Sequence, residues 1–189
     1  LVRQFHYGLA DMLAGKYRMN SSGMSIVMNS GAGVEPDGRK SIDAGGLRRS
    51  GRQMLFILLE DLQDPGNLGT IFRTAEGAGV TGIIMDRECV DIYNPKTIRS
   101  TMGSIYRMPF CYAANLADAI SFLKERGIRT YAAHLEGARD YDEEDYCRPC
   151  AFLIGNEGNG LTKEIADLAD NYIKIPMKGQ VESLNAAIA

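Results

Sequence analysis

The sequence lacks both a long apolar run and an excess of positive charge, and each absence excludes a class of protein. No apolar stretch approaches the roughly 20 residues that a bilayer-spanning helix needs. Leu1–Tyr7 also lack the charged, apolar and small residues of a signal peptide in their usual order, so we expect a cytoplasmic protein. The net charge of -3 argues against a protein that coats nucleic acid through its overall charge. Local basic clusters remain, namely Arg48, Arg49 and Arg52, and Lys96, Arg99 and Arg107.

Cysteine is scarce, and its spacing does not favour a metal or redox site. Cys147 and Cys150 form the only pair at a suitable spacing. A zinc site needs two further ligands, and the nearest candidates, Cys89, Cys111 and His134, are scattered along the chain. A thioredoxin-like pair would stand at the start of a helix, whereas this one runs into a predicted strand. We therefore interpret the pair as a loop bend with reduced thiols and expect no metal.

After a polar N-terminal region, the sequence alternates regularly between short apolar runs and segments with the apolar spacing of an amphipathic helix. Residues 29–51 have almost no apolar period, and we interpret them as a linker that follows a short helix at Phe5–Leu13. The later alternation of buried strands with helices of about ten residues indicates a mostly parallel α/β sheet flanked by helices. The predicted strands are Met54–Leu59, Gly82–Met85, Pro109–Tyr112, Ile128–Ala133, Ala151–Ile154 and Tyr172–Ile175, and the predicted helices are Leu68–Gly79, Pro95–Met102, Leu116–Arg126 and Leu161–Leu168.

Three polar, Gly-rich loops follow predicted strands. The first loop reads D-P-G-N-L-G-T-I-F-R-T-A, where Asn67 is expected to cap the next helix and Arg73 lies off its apolar face, which carries Leu68, Ile71, Phe72, Ala75 and Ala78. The second reads G-N-E-G-N-G-L, from Gly155. The third reads I-P-M-K-G-Q-V-E-S-L-N, where Ser183 is expected to cap a further helix. Because such loops meet at the carboxyl edge of a parallel sheet, they are expected to frame a ligand crevice.

The second loop does not match the common phosphate-binding patterns. Its order is G-x-x-G-x-G, no Gly-Lys-Ser/Thr follows, and Glu157 would repel a phosphate. The loop better suits a neutral or cationic ligand held by backbone groups. Each loop taken alone also has a non-functional interpretation. Arg73 of the first loop would be a solvated surface residue, and the second loop would be a tight Gly turn without a ligand. The third loop would be a helix cap followed by a surface Asn185. His134 could act as a base, but a packed or solvated side chain is the simpler interpretation.

Together and in this order, N-L-G-T-I-F-R-T-A, G-N-E-G-N-G-L and I-P-M-K-G-Q-V-E-S-L-N resemble the three motifs of the SpoU/TrmH family of RNA ribose methyltransferases, in the SPOUT superfamily. The resemblance covers roughly Met54 to Ala189. It implies an α/β sheet with a C-terminal trefoil knot, a rare exception to unknotted folds. It further implies a homodimer that transfers a methyl group from S-adenosylmethionine to a ribose 2′-hydroxyl of tRNA or rRNA.

The resemblance assigns a role to each matching position. Arg73 matches the arginine that activates the 2′-hydroxyl, either as a base or as a charged group that stabilises the developing alkoxide. The other polar residues of the catalytic set are Asn67, Glu157, Ser183 and Asn185. The positions expected to hold the cofactor are Gly155, Ile175, Met177 and Leu184.

The resemblance also sets expectations for the domains. We expect residues 1–51 to be an N-terminal remnant and linker. Residues 52–189 are expected to form the methyltransferase domain, without the helix that completes the knot in the family. Two alternatives remain open: a non-catalytic RNA-binding or ribosome-assembly factor that retains the fold, and a nucleotide- or NAD-dependent enzyme.

Overall fold

The described part of the chain is built around one seven-stranded sheet. The computed structural model describes residues 53–135, 139–180 and 183–189, so the expectations for residues 1–51 lie outside the described part. The strands stand in the order β3-β2-β1-β6-β4-β7-β5, and every pair of neighbouring strands is parallel. Their bounds are β1 Leu55–Leu59, β2 Gly82–Met85, β3 Phe110–Tyr112, β4 Arg129–Ala133, β5 Arg139–Asp140, β6 Cys150–Ile154 and β7 Asn171–Lys174.

Helices cover both faces of the sheet, which confirms the predicted parallel α/β sheet flanked by helices. The trefoil knot stays a prediction. The helices are α1 Pro65–Ala78, α2 Pro95–Ser100, α3 Leu116–Lys124 and α4 Lys163–Ala166, with 3₁₀ turns at Ser104–Tyr106 and Tyr141–Glu143. Phe56 and Leu58 of β1 belong to the hydrophobic cluster that contains the buried side of α3. Leu59 belongs to the cluster on the opposite face, together with the buried side of α1. The sheet is therefore the middle layer of a three-layer α/β/α domain.

The first helix differs from its prediction at both ends. Asp64, not Asn67, is the N-cap, because its side chain accepts a hydrogen bond from the Asn67 backbone N–H at 2.8 Å and Pro65 occupies the first helical position. Ala78, predicted on the buried face, is exposed, because α1 ends there and Gly79 adopts a left-handed conformation with φ of 75°.

The other three helices are shorter than predicted. α3 ends at Lys124 rather than Arg126. α2 ends at Ser100 rather than Met102, where left-handed Met102 and Gly103 (φ 49° and 89°) redirect the chain. α4 is a single turn that Thr162 caps. The short edge strand β5 was not predicted, since its two residues carry no strand period.

No helix among the described residues is long and apolar enough to span a membrane.

Candidate active site

The loop that leads from β1 into α1 presents the backbone N–H groups of Gln63 and Asp64 next to the side-chain amide of Asn67. Asp64 caps α1, and Lys96 lies 3.3 Å from its other carboxylate oxygen. The hydrogen bond from the Asn67 N–H, helped by Lys96, holds the pKa of Asp64 below its ordinary value, although burial acts in the opposite direction. With its backbone N–H bonded to the cap, Asn67 presents its side-chain amide to the two other loops.

The second loop, residues 155–161, folds back on itself. Asn156 and Gly160 exchange two backbone hydrogen bonds, of 3.1 and 2.9 Å. The Asn156 side-chain oxygen accepts from the N–H of Gly158 and of Asn159. A Cβ at Gly155 would lie 2.1 Å from the carbonyl carbon of Gly160, so that position accepts only glycine.

Glu157 ties the second loop to the first. Its carboxylate accepts hydrogen bonds from the backbone N–H of Gln63 (3.0 Å) and of Asp64 (2.9 Å) and from the Asn67 amide (3.0 Å). Partial burial alone would raise the pKa of Glu157, but these donors outweigh it and hold that pKa below its ordinary value. The carboxylate is therefore charged near neutral pH, and it bonds to the protein itself.

The third loop reaches the same place through Asn185. The Asn185 side-chain amide donates to the Asn67 side-chain oxygen at 2.9 Å, and its own oxygen accepts from the Ala187 N–H. Asn185 therefore caps the turn at residues 186–188, and the expectation that Ser183 caps a helix is wrong, because only this turn follows in the described residues. Ala186 is buried in the α1-side cluster and anchors the segment.

A continuous hydrogen-bonded chain, Asn185–Asn67–Glu157, thus joins the three loops at the carboxyl edge of the sheet. An open cleft of about 810 Å³ lies there. Its lining includes four of the predicted catalytic residues and one predicted cofactor residue: Asn67, Glu157, Ser183, Asn185 and Leu184. The structure brings these side chains together, whereas their chemical roles stay predictions.

Arg73 does not line this cleft. It lies further along α1 than Asn67 by about 9 Å of helix rise, and its side chain is exposed. Among the residues that the structure describes, nothing forms a hydrogen bond or an ion pair with its guanidinium. Helical phase correctly placed Arg73 off the apolar face, but its catalytic role remains a prediction.

The remaining cofactor candidates lie just after two strands of the sheet. Gly155 follows β6 and Ile175 follows β7, with β4 between these strands in the sheet. Ile175 and Met177 are half-buried, and Leu184 is 39% exposed. Gly155, Ile175 and Met177 do not line the cleft described above. This uncharged, partly apolar set fits the nucleoside part of S-adenosylmethionine, which needs apolar contacts and backbone hydrogen bonds.

His134 and the cysteines lie outside the predicted catalytic set. The His134 ring packs edge-on against Tyr172, in agreement with a packed side chain. Cys147 is exposed and Cys150 is buried, and both are free thiols. Burial raises the pKa of the Cys150 thiol to about 11, so this thiol is protonated near neutral pH. No cluster of potential metal ligands exists within the described ranges.

Sequence reasoning missed two sets of hydrogen bonds that hold the elements around the cleft. The backbone N–H groups of Gln63 and Asp64 hold Glu157, and no side-chain pattern could indicate backbone donors. Glu60 is buried and accepts hydrogen bonds from the Thr162 N–H (2.7 Å) and hydroxyl (2.6 Å), which fixes the start of α4 beside the first loop. An acidic residue at the end of an apolar strand was a usable signal for Glu60.

The chain is similar to known RNA methyltransferases. The chain is 36% identical over 133 residues to the 23S rRNA (guanosine(2553)-2′-O)-methyltransferase of Bacillus subtilis, covering 70% of this chain and 53% of that protein. An AdoMet-bound rRNA methyltransferase from Sinorhizobium meliloti is 42% identical with a TM-score of 0.68, covering 71% of this chain and 52% of that one. An RNA 2′-O ribose methyltransferase is 28% identical with a TM-score of 0.66, covering 75% and 54%.

These matches cover enough of the chain to assign it to a family. The chain spans about half the length of the curated relatives it matches. The model of the SpoU rRNA Methylase family matches residues 54–189, which include all three loops. With this match over most of its length and the parallel sheet that its relatives share, the chain belongs to the SpoU/TrmH family of RNA methyltransferases.

Proposed function

We propose that this protein transfers a methyl group from S-adenosylmethionine to a ribose 2′-hydroxyl of tRNA or rRNA. The relatives named above support the cofactor and the ribose target, since one binds AdoMet and two are named as 2′-O-methyltransferases. The observation that carries the proposal is the Asn185–Asn67–Glu157 chain of hydrogen bonds. It holds polar groups from all three motifs beside one cleft, as a positioned transfer reaction requires.

Binding and positioning fall to different residues. S-adenosylmethionine, when bound, supplies a methyl group on a positively charged sulfur. Gly155, Ile175, Met177 and Leu184 would hold it through backbone groups and apolar contacts. Asn67 and Asn185 orient each other, so the cleft keeps its shape as the ribose enters. Holding two reacting groups in the correct orientation can lower the free-energy barrier to the transfer by about 7–11 kcal/mol.

For Arg73 we propose an electrostatic role. A guanidinium keeps its proton in proteins, and none of the described residues forms a hydrogen bond with Arg73 through which that proton could leave. A charged, exposed Arg73 can instead hold a phosphate of the RNA and stabilise negative charge that develops on the 2′-oxygen. Arg73→Lys keeps the charge but loses the planar donor pair, so we expect a lowered kcat and an unchanged pH–rate profile. An unchanged kcat would remove Arg73 from the mechanism.

The decisive experiment follows labelled methyl groups into RNA. The protein is incubated with methyl-tritiated S-adenosylmethionine and total RNA from cells that lack the gene. A 2′-O-methyl group prevents alkaline cleavage of the adjacent phosphodiester, so label should appear in alkali-resistant dinucleotides. Label in mononucleotides would indicate a base methyltransferase. RNA binding without any incorporation would favour the non-catalytic assembly factor, and NAD binding in preference to S-adenosylmethionine would favour a dehydrogenase-like enzyme.

We also propose that the protein is cytoplasmic, as its N-terminal sequence suggests, and that it forms a homodimer, as the family resemblance implies. The homodimer is checked by sedimentation of the purified protein at micromolar concentration, and a monomer there would contradict it.

A further inference from the structure

Positively charged side chains gather along the packed helices α1 and α2. Arg73 stands on α1, Lys96 and Arg99 on α2, and Arg107 directly after the 3₁₀ turn Ser104–Tyr106. All four are exposed. We call this set the basic ridge. It stands out in a chain whose net charge is -3.

The packing of the two helices fixes the position of Arg73 within the ridge. A Cβ at Gly69 would lie 2.4 Å from the Ser100 side chain, so the helices approach most closely at this glycine. Arg73 and Glu76 follow Gly69 at intervals of four and three residues and therefore lie on the same side of α1. Glu76 in turn bonds to Arg107 and to the Ser104 hydroxyl. Arg73 thus lies between the contact with α2 and the contact with the 3₁₀ turn.

The ridge keeps unneutralised charge. Lys96 pairs with Asp64 and Arg107 pairs with Glu76, yet the side chains of Lys96 and Arg107 remain 60% and 54% exposed. Within the described part of the chain, Arg73 and Arg99 have no carboxylate partner. Exposed ion pairs contribute little to stability, so these side chains remain available to an outside anion.

Two apolar side chains stand exposed beside these charges. Met102 is 71% exposed and Tyr106 is 55% exposed, and both belong to the segment that connects α2 with Arg107. An exposed ring next to arginines is the combination that single-stranded nucleic acid uses, with phosphates on the cations and bases stacked on the aromatic face.

The ridge begins at the edge of the cleft. Asp64 lines the cleft and also pairs with Lys96, the ridge residue nearest to it. A polyanion lying along the ridge would therefore lead directly to Asn67 and Asn185.

We propose that the basic ridge binds the ribose-phosphate backbone of the substrate RNA next to the target nucleotide, with an unpaired base stacked on Tyr106. RNA as the substrate class is taken from the proposed function. The assignment of this surface rests on the ridge itself.

The test measures binding of a fluorescein-labelled RNA hairpin to the protein over a range of salt concentrations. Arg99→Glu should weaken binding several-fold and lower the slope of log Kd against log salt by about 1, because one phosphate contact is lost. Tyr106→Ala should weaken binding about fivefold or more without changing the slope, because stacking releases no counterion. The matched control is Arg126→Glu beyond α3, on the opposite face of the sheet, which should leave the slope unchanged.

Several results would overturn the proposal. Equal slopes for Arg99→Glu and Arg126→Glu would do so, as would a wild-type protein that does not bind the hairpin. A changed sedimentation coefficient for Arg99→Glu would assign the ridge to contact between copies of the chain instead. Failure of the proposed function looks different: RNA binding would depend on the ridge while no methyl group is transferred.

Discussion

The second and third loops meet at the same cleft but are held in place in different ways. Residues 155–161 are closed by two backbone hydrogen bonds, and three donors from the first loop grip Glu157. In the third loop, the position of the described residues 183–189 is held by the hydrogen bond between Asn185 and Asn67 and by the burial of Ala186. The second loop is thus a rigid framework fixed by main-chain geometry. The third loop depends on a few side chains and is the part of the site that is easier to disturb.

The largest expected effect comes from Gly155→Ala. The new methyl group would meet the backbone of Gly160 and Leu161 at 2.1 Å, so the loop must open, at a cost of about 3 kcal/mol or more in unfolding free energy. Urea denaturation measures it. Gly179→Ala, in the third loop, is the matched control, because no atom lies within 4 Å of its added Cβ. Similar losses for both variants would show that the loops do not differ in rigidity.

A smaller effect is expected from Glu157→Gln, about 2 kcal/mol at neutral pH, because the amide replaces one acceptor oxygen by a donor that faces N–H groups. The pKa of Glu157 is lower in the folded protein than its ordinary value, so its stabilising contribution is present above the unfolded pKa. That contribution is lost as pH falls through the folded pKa. Urea denaturation between about pH 6 and pH 3 should therefore show a steeper acid loss for wild type than for Glu157→Gln.

Parallel acid profiles for the two proteins would contradict this role of Glu157. Asp142→Asn serves as the control, since Asp142 is an exposed carboxylate in the distant 3₁₀ turn Tyr141–Glu143.

The smallest loss of stability is expected from Asn185→Ala, about 1 kcal/mol, because the affected bonds are exposed. Its effect on methyl transfer should be much larger than its effect on stability, since the third loop loses its tie to Asn67. A double-mutant cycle of Asn185→Ala with Asn67→Ala, measured by urea denaturation, should give a coupling of about 0.5–1 kcal/mol. Additive losses would mean that the two amides do not support each other.

Sequence reasoning succeeded where the signal is local and repeated. The apolar runs around Phe56, Ile84 and Leu153 identified strands that are buried on both sides, and strand–helix alternation identified the parallel sheet. The three loops were expected at one edge of the sheet because parallel strands end together. That inference needs no knowledge of which strands are neighbours.

Sequence reasoning failed where it had to choose which of several similar polar residues caps a helix or turn. Asn67 and Asp64 are both good helix caps, and only the Pro65 that follows Asp64 distinguishes them. The same holds for the third loop, where Ser183 was expected to be the cap but the Asn185 side chain accepts from the Ala187 N–H. Helical phase placed Arg73 on an exposed side of α1. The residues that surround Arg73 depend on the packing of α1 against α2, which is distant in sequence. The place of β6 between β1 and β4 is likewise a long-range property.

The bond between Asn67 and Asn185 joins residues 118 positions apart, and this separation has a consequence for synthesis. A polypeptide leaving the ribosome carries the first two loops well before Asn185 emerges. Until then Asn67 lacks the partner that fixes its amide, and the cleft lacks the side chains of the third loop. The cleft therefore takes its final shape only after the third loop has been synthesised and has docked against the first.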